Sequence, residues 1–563
     1  MGSYSVCIFF TRRFRVTEAA PPPDVIETFK KYSEGGSHLT PEQLRRFLVD
    51  MQDDFGAPIF DAESIVQQVV HRRHHITKFT RHSLNLDDFY HYLFSTDLNP
   101  PMSSQVNQDM TEPLSHYFIY TGHNSYLTGN QLNSASCDVP IIKALKRGVR
   151  VIELDIWPDS SSRRSAICVK HGWTLTTPVE FLTCLRSIKE HAFATSPYPV
   201  VITLEDHLTP DLQAKAAQML TETFGDVLYC SDLDDIKKLP SPEKLKHRVI
   251  ISTKPPKEYV KDKTENIQNN LSSRKDYEVS PWDDEPIYDT DDQEDNDKSF
   301  DIDIHSQSAA NFDEPPDQKI NVSPDYKGLI AIYAGKPKGG LNEALKVEAN
   351  KVRRLSLSEQ GLEKAAKSHG VDVVRFTQKN ILRIYPKGIR FNSSNYNPLI
   401  GWMHGAQMVA FNMQGYGKYL WLMHGMFRAN GGCGYVKKPE FLLKSNSDDR
   451  VFDPKVNLPV KKTMKVSIVG VPADIRKHKT VIKYDSWTPC WNEEFEFPMS
   501  APELAILCIE VRDADNGPET DDFGGQNCIP VFQIRPGIRA VSLYDRKGVK
   551  YTSVKLLMRF EFV

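Results

Sequence analysis

The segment His123-Asn124-Ser125-Tyr126-Leu127 follows Tyr117–Thr121, an apolar run with the composition of a short strand, after the single residue Gly122. Glu153-Leu154-Asp155 lies 30 residues after His123 in a second apolar run, and His171-Gly172-Trp173 follows a third. Alternate side chains of a strand share a face, so the two carboxylates of the second run can bind one cation between them. Two histidines, two carboxylates and an amide therefore predict metal-assisted chemistry on a phosphate ester.

The composition is that of a soluble protein with several domains. A chain of 563 residues exceeds a single core, and about three or four domains are expected. The nine cysteines are odd in number and have no CxxC spacing, which argues against a disulfide framework or a zinc site and favours a reducing compartment such as the cytosol. No apolar window reaches the length of a membrane span.

The charge of the chain is distributed unevenly. Residues 276–317 contain 16 Asp or Glu and one basic residue, Lys298. The remaining 69 basic and 57 acidic residues give the rest of the chain a net charge of +12. The folded parts therefore suit an anionic partner, either a membrane surface or a nucleic acid. Charge alone does not choose between these partners.

Hydrophobic periodicity divides the chain into five regions. Residues 24–97 have apolar residues at helical spacing, and their loops lack the regular Asp and Asn ligands of a calcium-binding EF-hand. This region is expected to be an EF-hand-like helical domain that binds no calcium. Residues 107–254 and 326–443 alternate strands with amphipathic helices. The acidic residues 255–325 between them are expected to form a disordered linker. Residues 454–563 are rich in strand-like segments.

The two alternating regions predict one multidomain α/β architecture, a TIM-like (β/α)₈ barrel split by the acidic insert. Its site would lie at the C-terminal ends of the strands, where His123, Glu153, Asp155, His171 and Glu205 are found. The strand candidates are Tyr117–Thr121, Arg150–Ile156, Ala166–Val169, Val200–Leu204, Arg248–Ile251, Gly328–Ile332, Val373–Phe376, Ile381–Tyr385 and Gln407–Phe411. The C-terminal region predicts an all-β sandwich, with strands at Met464–Val469, Thr480–Lys483, Glu494–Phe497, Ala505–Val511 and Lys555–Phe562.

Four segments are specific enough to suggest a family. They are Thr121–Leu127, Val169-Lys170-His171-Gly172, the stretch from Tyr385-Pro386-Lys387-Gly388 through Ser393–Pro398, and Asn430–Tyr435. In these segments the chain resembles eukaryotic phosphoinositide-specific phospholipase C, and the compact plant form in particular. The resemblance covers nearly the whole chain: 107–254 resembles the X half of the family's barrel, 326–443 the Y half, and 454–563 a C2 domain.

The resemblance implies a reaction and a set of residues that carry it. In the family, the inositol 2-hydroxyl attacks the adjacent 1-phosphate and expels diacylglycerol, and water then opens the cyclic phosphodiester. His123 and His171 match the catalytic histidines. The ligands of the catalytic calcium are matched by Asn124, Glu153, Asp155 and Glu205. Either Glu205 or Glu153 can be the base, and the sequence leaves this choice open.

The same resemblance implies how the substrate and the membrane are bound. Lys254, Ser356, Arg383 and Tyr385 match headgroup-binding positions, and the last two share a face because they are two apart on one strand. Ser252 stands where animal members have a lysine, which leaves the preferred phosphorylation state open. The apolar residues that match the membrane-entering rim are Leu132, Trp173, Leu175 and Ile389. A role in signal transduction and a location at the inner face of the plasma membrane are implied. Nucleic-acid binding is disfavoured, because the aromatic residues near basic ones lie in phospholipase motifs.

The C-terminal domain departs from the family pattern. Met464–Ile468 runs directly into Val469-Gly470-Val471-Pro472, so a strand and the first calcium loop are expected to be missing. Asp513 and Asp515 remain as candidate ligands of a second calcium, which needs about six to eight oxygens. The alternative to a calcium-dependent enzyme is thus a catalytically weak membrane-binding scaffold with a truncated C2 domain. The acidic linker is expected to inhibit access to anionic membranes.

Overall fold

A computed structural model describes residues 2–7, 10–14, 20–73, 81–159, 166–230, 238–255, 324–335, 340–348, 351–444, 451–456, 459–464, 468–469, 476–483, 489–513 and 522–563. The predicted acidic linker at 255–325 lies almost wholly outside the described residues, and so does Asp515. Within the described ranges, no helix is both long enough and apolar enough to cross a bilayer.

Eight parallel strands form a barrel. In chain order they are β1 (Thr121–Gly122), β2 (Val151–Pro158), β3 (Val200–Asp206), β4 (Val249–Thr253), β5 (Ile330–Tyr333), β6 (Arg354–Ser358), β7 (Ile381–Tyr385) and β8 (Met408–Phe411). Each strand pairs with its neighbours in sequence, and β8 returns to β1. A parallel bridge between Ala334 and Arg354 joins β5 to β6. The predicted TIM-like barrel is confirmed, with four strands from each side of the linker.

Alternation along the strands separates the barrel interior from the helical layer. In β2, Ile152 and Leu154 pack into the large apolar core that also includes residues of the surrounding helices. Glu153 and Asp155 therefore face the interior. The helices that cover the strands are Val139–Lys146, Phe181–His191, Pro210–Phe224, Glu359–Lys379, Pro398–Met403 and Lys418–Met426, with shorter helices at Pro324–Gly328, Gly340–Ala344 and Glu440–Leu443.

Two predicted barrel strands are wrong. Val373–Phe376 lies inside the helix Glu359–Lys379, where its apolar residues continue a helical stripe of buried side chains. Ile167–Val169 is a strand, but it pairs antiparallel with β2 and lies outside the parallel barrel. One barrel strand, β6, was absent from the prediction because its three inward positions, residues 354, 356 and 358, are polar and interrupt the apolar run.

The N-terminal domain consists of paired helix-loop-helix units. Its helices are Pro23–Tyr32, Pro41–Asp50, Ile59–Arg73 and Leu86–Leu93, preceded by a hairpin of Gly2–Cys7 and Phe10–Phe14. Thr40 and Asn85 each cap the following helix with a reciprocal capping box. Leu39 and Leu84 exchange two backbone hydrogen bonds, of 2.7 and 2.9 Å, between the two loops. This pairing joins the two helix-loop-helix units, and the EF-hand-like assignment of the domain stays a prediction.

The C-terminal domain is built from two antiparallel sheets. One contains Ile468–Val469, Ile506–Asp513, Asp522–Pro530, Gly537–Tyr544 and Lys550–Phe560, and the other pairs Lys462–Met464 with Phe497–Met499. Met464 and Phe497 of the small sheet share a core with Leu507 and Ile529 of the large one. The prediction of a strand at Thr480–Lys483 is wrong: these residues are exposed and unpaired with any described strand. The strands beginning at Asp522 and Gly537 were not predicted.

Polar contacts, some of them buried, attach the C-terminal sheet to the two preceding domains. Gln52 of the helical domain donates to the carbonyl of Ile538 at 2.9 Å and accepts from its amide at 2.7 Å. On the barrel side, Arg428 donates to Asn527 at 2.7 Å, and Trp421 donates to the carbonyl of Arg546 at 2.8 Å. The sheet is therefore held by specific hydrogen bonds on both sides.

Candidate active site

Three carboxylates converge at the C-terminal ends of β2 and β3. Glu153, Asp155 and Glu205 each offer an oxygen within 4.8 Å of the others. Parallel register pairs Asp155 with Glu205, which brings these two side chains to the same face. Oδ2 of Asp155 accepts a 2.7 Å hydrogen bond from the Tyr126 hydroxyl, while its buried Oδ1 has no hydrogen-bond partner in the described part of the chain. This geometry is that of an oxygen-rich cation site.

The electrostatics of the cluster favour a bound cation. Burial, followed by the charges of Glu205 and Glu153, raises the pKa of Asp155 well above its ordinary value. Burial also acts to raise the pKa of Glu205, but the hydrogen bond and charge of His207, followed by Arg383, bring it below its ordinary value. His207 donates to Glu205 Oε1 at 2.8 Å. A cation would relieve the repulsion that raises the pKa of Asp155.

The two predicted histidines are both oriented through Nδ1. Nδ1 of His123 donates to the amide oxygen of Asn412 at 2.9 Å, and Nδ1 of His171 donates to the backbone carbonyl of Gln131 at 2.7 Å. Because both acceptors are oxygens, the proton lies on Nδ1 and each Nε2 is left for a ligand. Burial, which outweighs the opposing charge of Glu153, lowers the pKa of His123.

Gln131 connects the loops around the site. Its side-chain oxygen accepts from the Asn124 amide at 2.9 Å, and its nitrogen donates to Ser393 at 2.8 Å and to Asn412 at 3.1 Å. Asn124 adopts a positive φ of 42° and donates its backbone amide to Glu153 Oε2 at 3.1 Å. The side-chain nitrogen of Asn124 is occupied by Gln131, so its side-chain oxygen is the atom that remains to coordinate a cation beside Glu153.

His171 differs from the carboxylates of the site in that it follows an antiparallel strand outside the parallel barrel. The strand before it, Ile167–Val169, extends antiparallel from the end of β2, and Trp157 of β2 stacks on His207 with ring centroids 3.7 Å apart. Gly172 lies against the same indole. The hairpin thus supports both His171 and the His207 that holds Glu205.

Replacing Gly172 with alanine is expected to disturb this support. The added Cβ would lie 2.2 Å from Cζ2 of Trp157, so the indole must shift. Overpacking of this kind costs about 1–3 kcal/mol of stability. The midpoint of thermal unfolding should fall below that of Gly388→Ala, a matched control whose Cβ meets nothing within 4 Å. Equal midpoints for the two variants would contradict the contact.

The predicted headgroup residues surround the same end of the barrel. Arg383 of β7 forms an ion pair with Glu153 across the interior and lies 5.5 Å from the ring centroid of Tyr385. Ser356 is half-buried on β6, and Lys254 is exposed directly after β4. Asp513 is in the C-terminal sheet, and its proposed partner Asp515 is outside the described residues, so the second calcium site stays a prediction.

The predicted membrane rim is exposed on the loops that follow the strands. The exposed fractions are 96% for Trp173, 83% for Leu175, 66% for Ile389 and 44% for Leu132. The backbone amide of Leu175 donates to the carbonyl of Leu132 at 2.7 Å, which links two of these loops. Phe391 and Tyr416, which the sequence analysis did not include, are also exposed on neighbouring loops of this end.

Several other residues of the site were not predicted. They are Tyr126, Gln131, Trp157, His207 and Asn412, all in contact with a predicted site residue. Asn412 and His207 directly follow β8 and β3, so the rule that polar residues at strand ends form the site could have found both. Gln131 lies in a loop, and no local pattern indicates its contacts.

Comparison with known proteins agrees with this arrangement. Residues 110–255 match the family profile "Phosphatidylinositol-specific phospholipase C, X domain", residues 331–441 match the corresponding Y domain, and residues 446–545 match "C2 domain". The chain is 54% identical to Phosphoinositide phospholipase C 4 of Arabidopsis thaliana, with 100% of this chain and 99% of that protein covered. It is 32% identical to 1-phosphatidylinositol 4,5-bisphosphate phosphodiesterase delta-3-A of Danio rerio, covering 96% of this chain and 69% of that protein.

The fold also matches solved structures. The crystal structure of S. officinalis PLC21 superposes with a TM-score of 0.71 at 23% identity, covering 96% of this chain and 68% of that chain. The crystal structure of L. pealei PLC21 gives a TM-score of 0.70 at the same identity, and covers 96% of this chain and 68% of that chain. The barrel and the domains on either side of it therefore have the arrangement of known folds.

Proposed function

Because this chain belongs to the phosphoinositide-specific phospholipase C family, we propose that it is a calcium-dependent enzyme that cleaves phosphatidylinositol phosphates, such as the 4,5-bisphosphate, into diacylglycerol and inositol phosphates. The observation that carries the proposal is the convergence of Glu153, Asp155 and Glu205 beside two histidines that are each held through Nδ1. The products imply a role in signal transduction at the inner face of the plasma membrane.

The donor set fits a calcium ion. Glu153, Asp155, Glu205 and the side-chain oxygen of Asn124 are hard oxygen donors, and the unpartnered Oδ1 of Asp155 is one of them. When bound, calcium lowers the pKa of a hydroxyl that it contacts and offsets negative charge on the phosphate. Six or more ligands are common for calcium, so substrate oxygens and water would complete the coordination.

Glu205 is the proposed base for the inositol 2-hydroxyl. Both oxygens of Glu153 are engaged, Oε1 with Arg383 and Oε2 with the Asn124 amide. Glu205 is bonded through Oε1 to His207, and its pKa is held below the ordinary value, so it is ionised at neutral pH. Its second oxygen is available for the proton of the attacking hydroxyl.

The histidines act on the phosphate and on the leaving group. His171, held by Gln131 through Nδ1, acts as the acid in its imidazolium form: the second proton, on Nε2, passes to the glycerol oxygen as the bond to phosphorus breaks, and the neutral imidazole remains. His123, held by Asn412 through Nδ1, places Nε2 beside the phosphate oxygen on which charge develops, and it stabilises that charge in the imidazolium form, in which Nε2 donates a hydrogen bond. The cyclic inositol phosphodiester that forms is then opened by water, with His171 and Glu205 exchanging their roles.

Headgroup and membrane contacts orient the lipid. Arg383 and Lys254 supply positive charge for ring phosphates, Ser356 supplies a hydroxyl, and Tyr385 supplies an aromatic face for the inositol ring. The exposed rim of Leu132, Trp173, Leu175 and Ile389 enters the apolar layer of the bilayer. The headgroup residues lie on β6 and β7 or directly after β4, and the rim residues lie on loops that follow the strands, so binding the membrane brings the headgroup to the carboxylates.

Replacing Trp173 with alanine is expected to weaken vesicle binding roughly tenfold or more, because burial of a large apolar side chain is lost. Cosedimentation with phosphoinositide-containing vesicles measures this change. Hydrolysis of soluble inositol 1,2-cyclic phosphate needs no membrane and should be unaffected. Phe60→Ala is the matched control, since Phe60 is 70% exposed on the N-terminal domain, away from the barrel mouth. Equal losses in the two variants would contradict the rim assignment.

Release of soluble inositol phosphates from vesicles containing phosphatidylinositol 4,5-bisphosphate tests the proposed function. The rate should rise as free calcium is titrated upward and should stop when calcium is chelated. The alternative, a membrane-binding scaffold with little turnover, predicts vesicle binding without product at any calcium concentration. That result would overturn the proposed activity.

A further inference from the structure

A second arginine, Arg354, lies inside the barrel. Ser356 of β6 is in register with Arg383 of β7, and registered positions of parallel strands share a face. Arg354 is two residues before Ser356 and therefore faces the same interior as Arg383. The side chain is only 6% exposed, and its Nε and Nη1 have no hydrogen-bond partner among the described residues.

This arginine differs from the other buried arginines of the barrel. Arg150 is fully buried, and it donates to backbone carbonyls including those of Val149, Ala192 and Leu145. Arg353 and Arg383 also each have a buried Nε without a partner among the described residues, but they form ion pairs with Glu348 and Glu153. Burial, followed by the charge of Arg383, lowers the pKa of Arg354 to about 9, with only Glu153 opposing the change. A buried charge that lacks a partner is costly, and an anionic ligand would remove this cost.

The distribution of charge inside the barrel indicates what kind of anion fits. The carboxylate cluster lies on β2 and β3, and β6 and β7 are on the opposite side in the strand order. The reacting phosphate belongs near the carboxylate side, so β6 and β7 face the far side of the inositol ring. Arg383 reaches from there to Glu153, and Arg354, the first residue of β6, starts one interior layer below Ser356 and Arg383. Ser252 of β4 also faces inward, but its hydroxyl donates to the carbonyl of Ile332 at 2.9 Å and it carries no charge.

We propose that Arg354 binds a phosphate on the inositol ring and thereby makes the enzyme select ring-phosphorylated lipids over phosphatidylinositol. A guanidinium can donate two parallel hydrogen bonds to a phosphomonoester, and the unpartnered Nε and Nη1 are the groups that would do so. This inference rests on the proposed function and names the substrate class of the same site. Arg354 thus supplies, from β6, a positive charge that Ser252 on β4 does not.

Arg354→Met is the variant that tests the proposal. Hydrolysis is measured on vesicles of equal surface charge that contain phosphatidylinositol, its 4-phosphate or its 4,5-bisphosphate. We expect kcat/KM on the bisphosphate to fall about 10- to 100-fold, the usual effect of losing a charged hydrogen bond, and that on phosphatidylinositol to be unchanged. Arg354→Lys, which keeps the charge, should recover part of the loss. Arg375→Met, at an exposed position on an outer helix, should change neither rate.

The thermal stability of Arg354→Met is a second measurement, and it is expected not to fall although the activity on the bisphosphate does. Replacing an unpaired buried charge with an apolar side chain of similar length is neutral or stabilising, so the unfolding midpoint of Arg354→Met should be equal to or above that of the wild type. Soluble inositol 1,4,5-trisphosphate should raise the midpoint of the wild type more than that of Arg354→Met or Arg354→Lys. Inositol 1-phosphate should raise the midpoints of wild type and variants equally.

The outcomes separate this inference from the proposed function. Equal losses on all three lipids would mean that Arg354 only positions Glu153, and no loss on any lipid would exclude a headgroup contact. Equal effects of the trisphosphate on all variants would also overturn the inference. A wild type without activity on any lipid would refute the proposed function, while the binding experiment would still decide whether Arg354 contacts ring phosphates.

Discussion

Replacing His171 with glutamine is expected to lower kcat on phosphoinositide vesicles by about 10²- to 10⁴-fold, the usual effect of losing a general acid. The backbone carbonyl of Gln131 holds the Nδ1 proton of His171, so the proton that the imidazolium form gives to the leaving oxygen is the one on Nε2. A substrate whose leaving group needs no proton should largely escape the loss. An inositol phosphodiester with a nitrophenolate leaving group provides that measurement.

His123→Gln should behave differently from His171→Gln. Its Nε2 is assigned to the charge that develops on the phosphate, which forms with either leaving group, so the loss should be large on both substrates. His404→Gln is the matched control, because His404 is a buried histidine whose Nδ1 also donates to a carbonyl, that of Ile400 at 2.8 Å, outside the site. Equal losses of His171→Gln on both substrates would contradict its role as the acid.

Replacing Asp155 with asparagine is expected to abolish calcium-dependent hydrolysis while making the calcium-free protein more stable. The pKa of Asp155 is raised in the folded state by burial and by its two carboxylate neighbours. An acid whose folded pKa is raised costs stability at any pH above its unfolded pKa, because the folded state holds a proton that the unfolded state has released. Asparagine removes this cost, and its amide oxygen can still accept the Tyr126 hydroxyl.

Thermal unfolding with and without calcium measures both effects. In chelator, the midpoint of Asp155→Asn should lie above that of the wild type, by a few degrees for a typical domain. Calcium should raise the midpoint of the wild type and leave that of the variant nearly unchanged, since one anionic ligand has been lost. Asp372→Asn is the control, because Asp372 is an exposed carboxylate on the helix Glu359–Lys379. A calcium response of Asp155→Asn equal to that of the wild type would contradict the metal assignment.

Local periodicity was enough to predict the barrel and the position of its carboxylates. A strand turns alternate side chains to one face, so Glu153 and Asp155 must point together once β2 forms. The prediction from local periodicity failed in two places. In β6, inward-facing polar residues interrupt the apolar run, and at Val373–Phe376 the apolar run belongs to a helix. In both cases the segment is too short for its pattern of apolar and polar residues to distinguish a strand from a helix.

The contacts that activate the site depend on residues far apart in the chain. Asn412 is 289 residues from His123, and Ser393 is 262 residues from Gln131, yet these pairs fix the tautomer of one histidine and the loop that holds the other. No local pattern reports such pairs, because they form only when eight strands close and bring their ends together.

The sequence by itself determined the architecture of the barrel, the inward direction of its acidic residues and, through its motifs, the family. Only the tertiary structure decided which groups have partners. It engages both oxygens of Glu153 and, within the described part of the chain, leaves Oδ1 of Asp155 and two guanidinium nitrogens of Arg354 without hydrogen-bond partners. The physical reason is that a strand's own covalent geometry sets where a side chain points, whereas its partners are set by all the strands that surround the same interior.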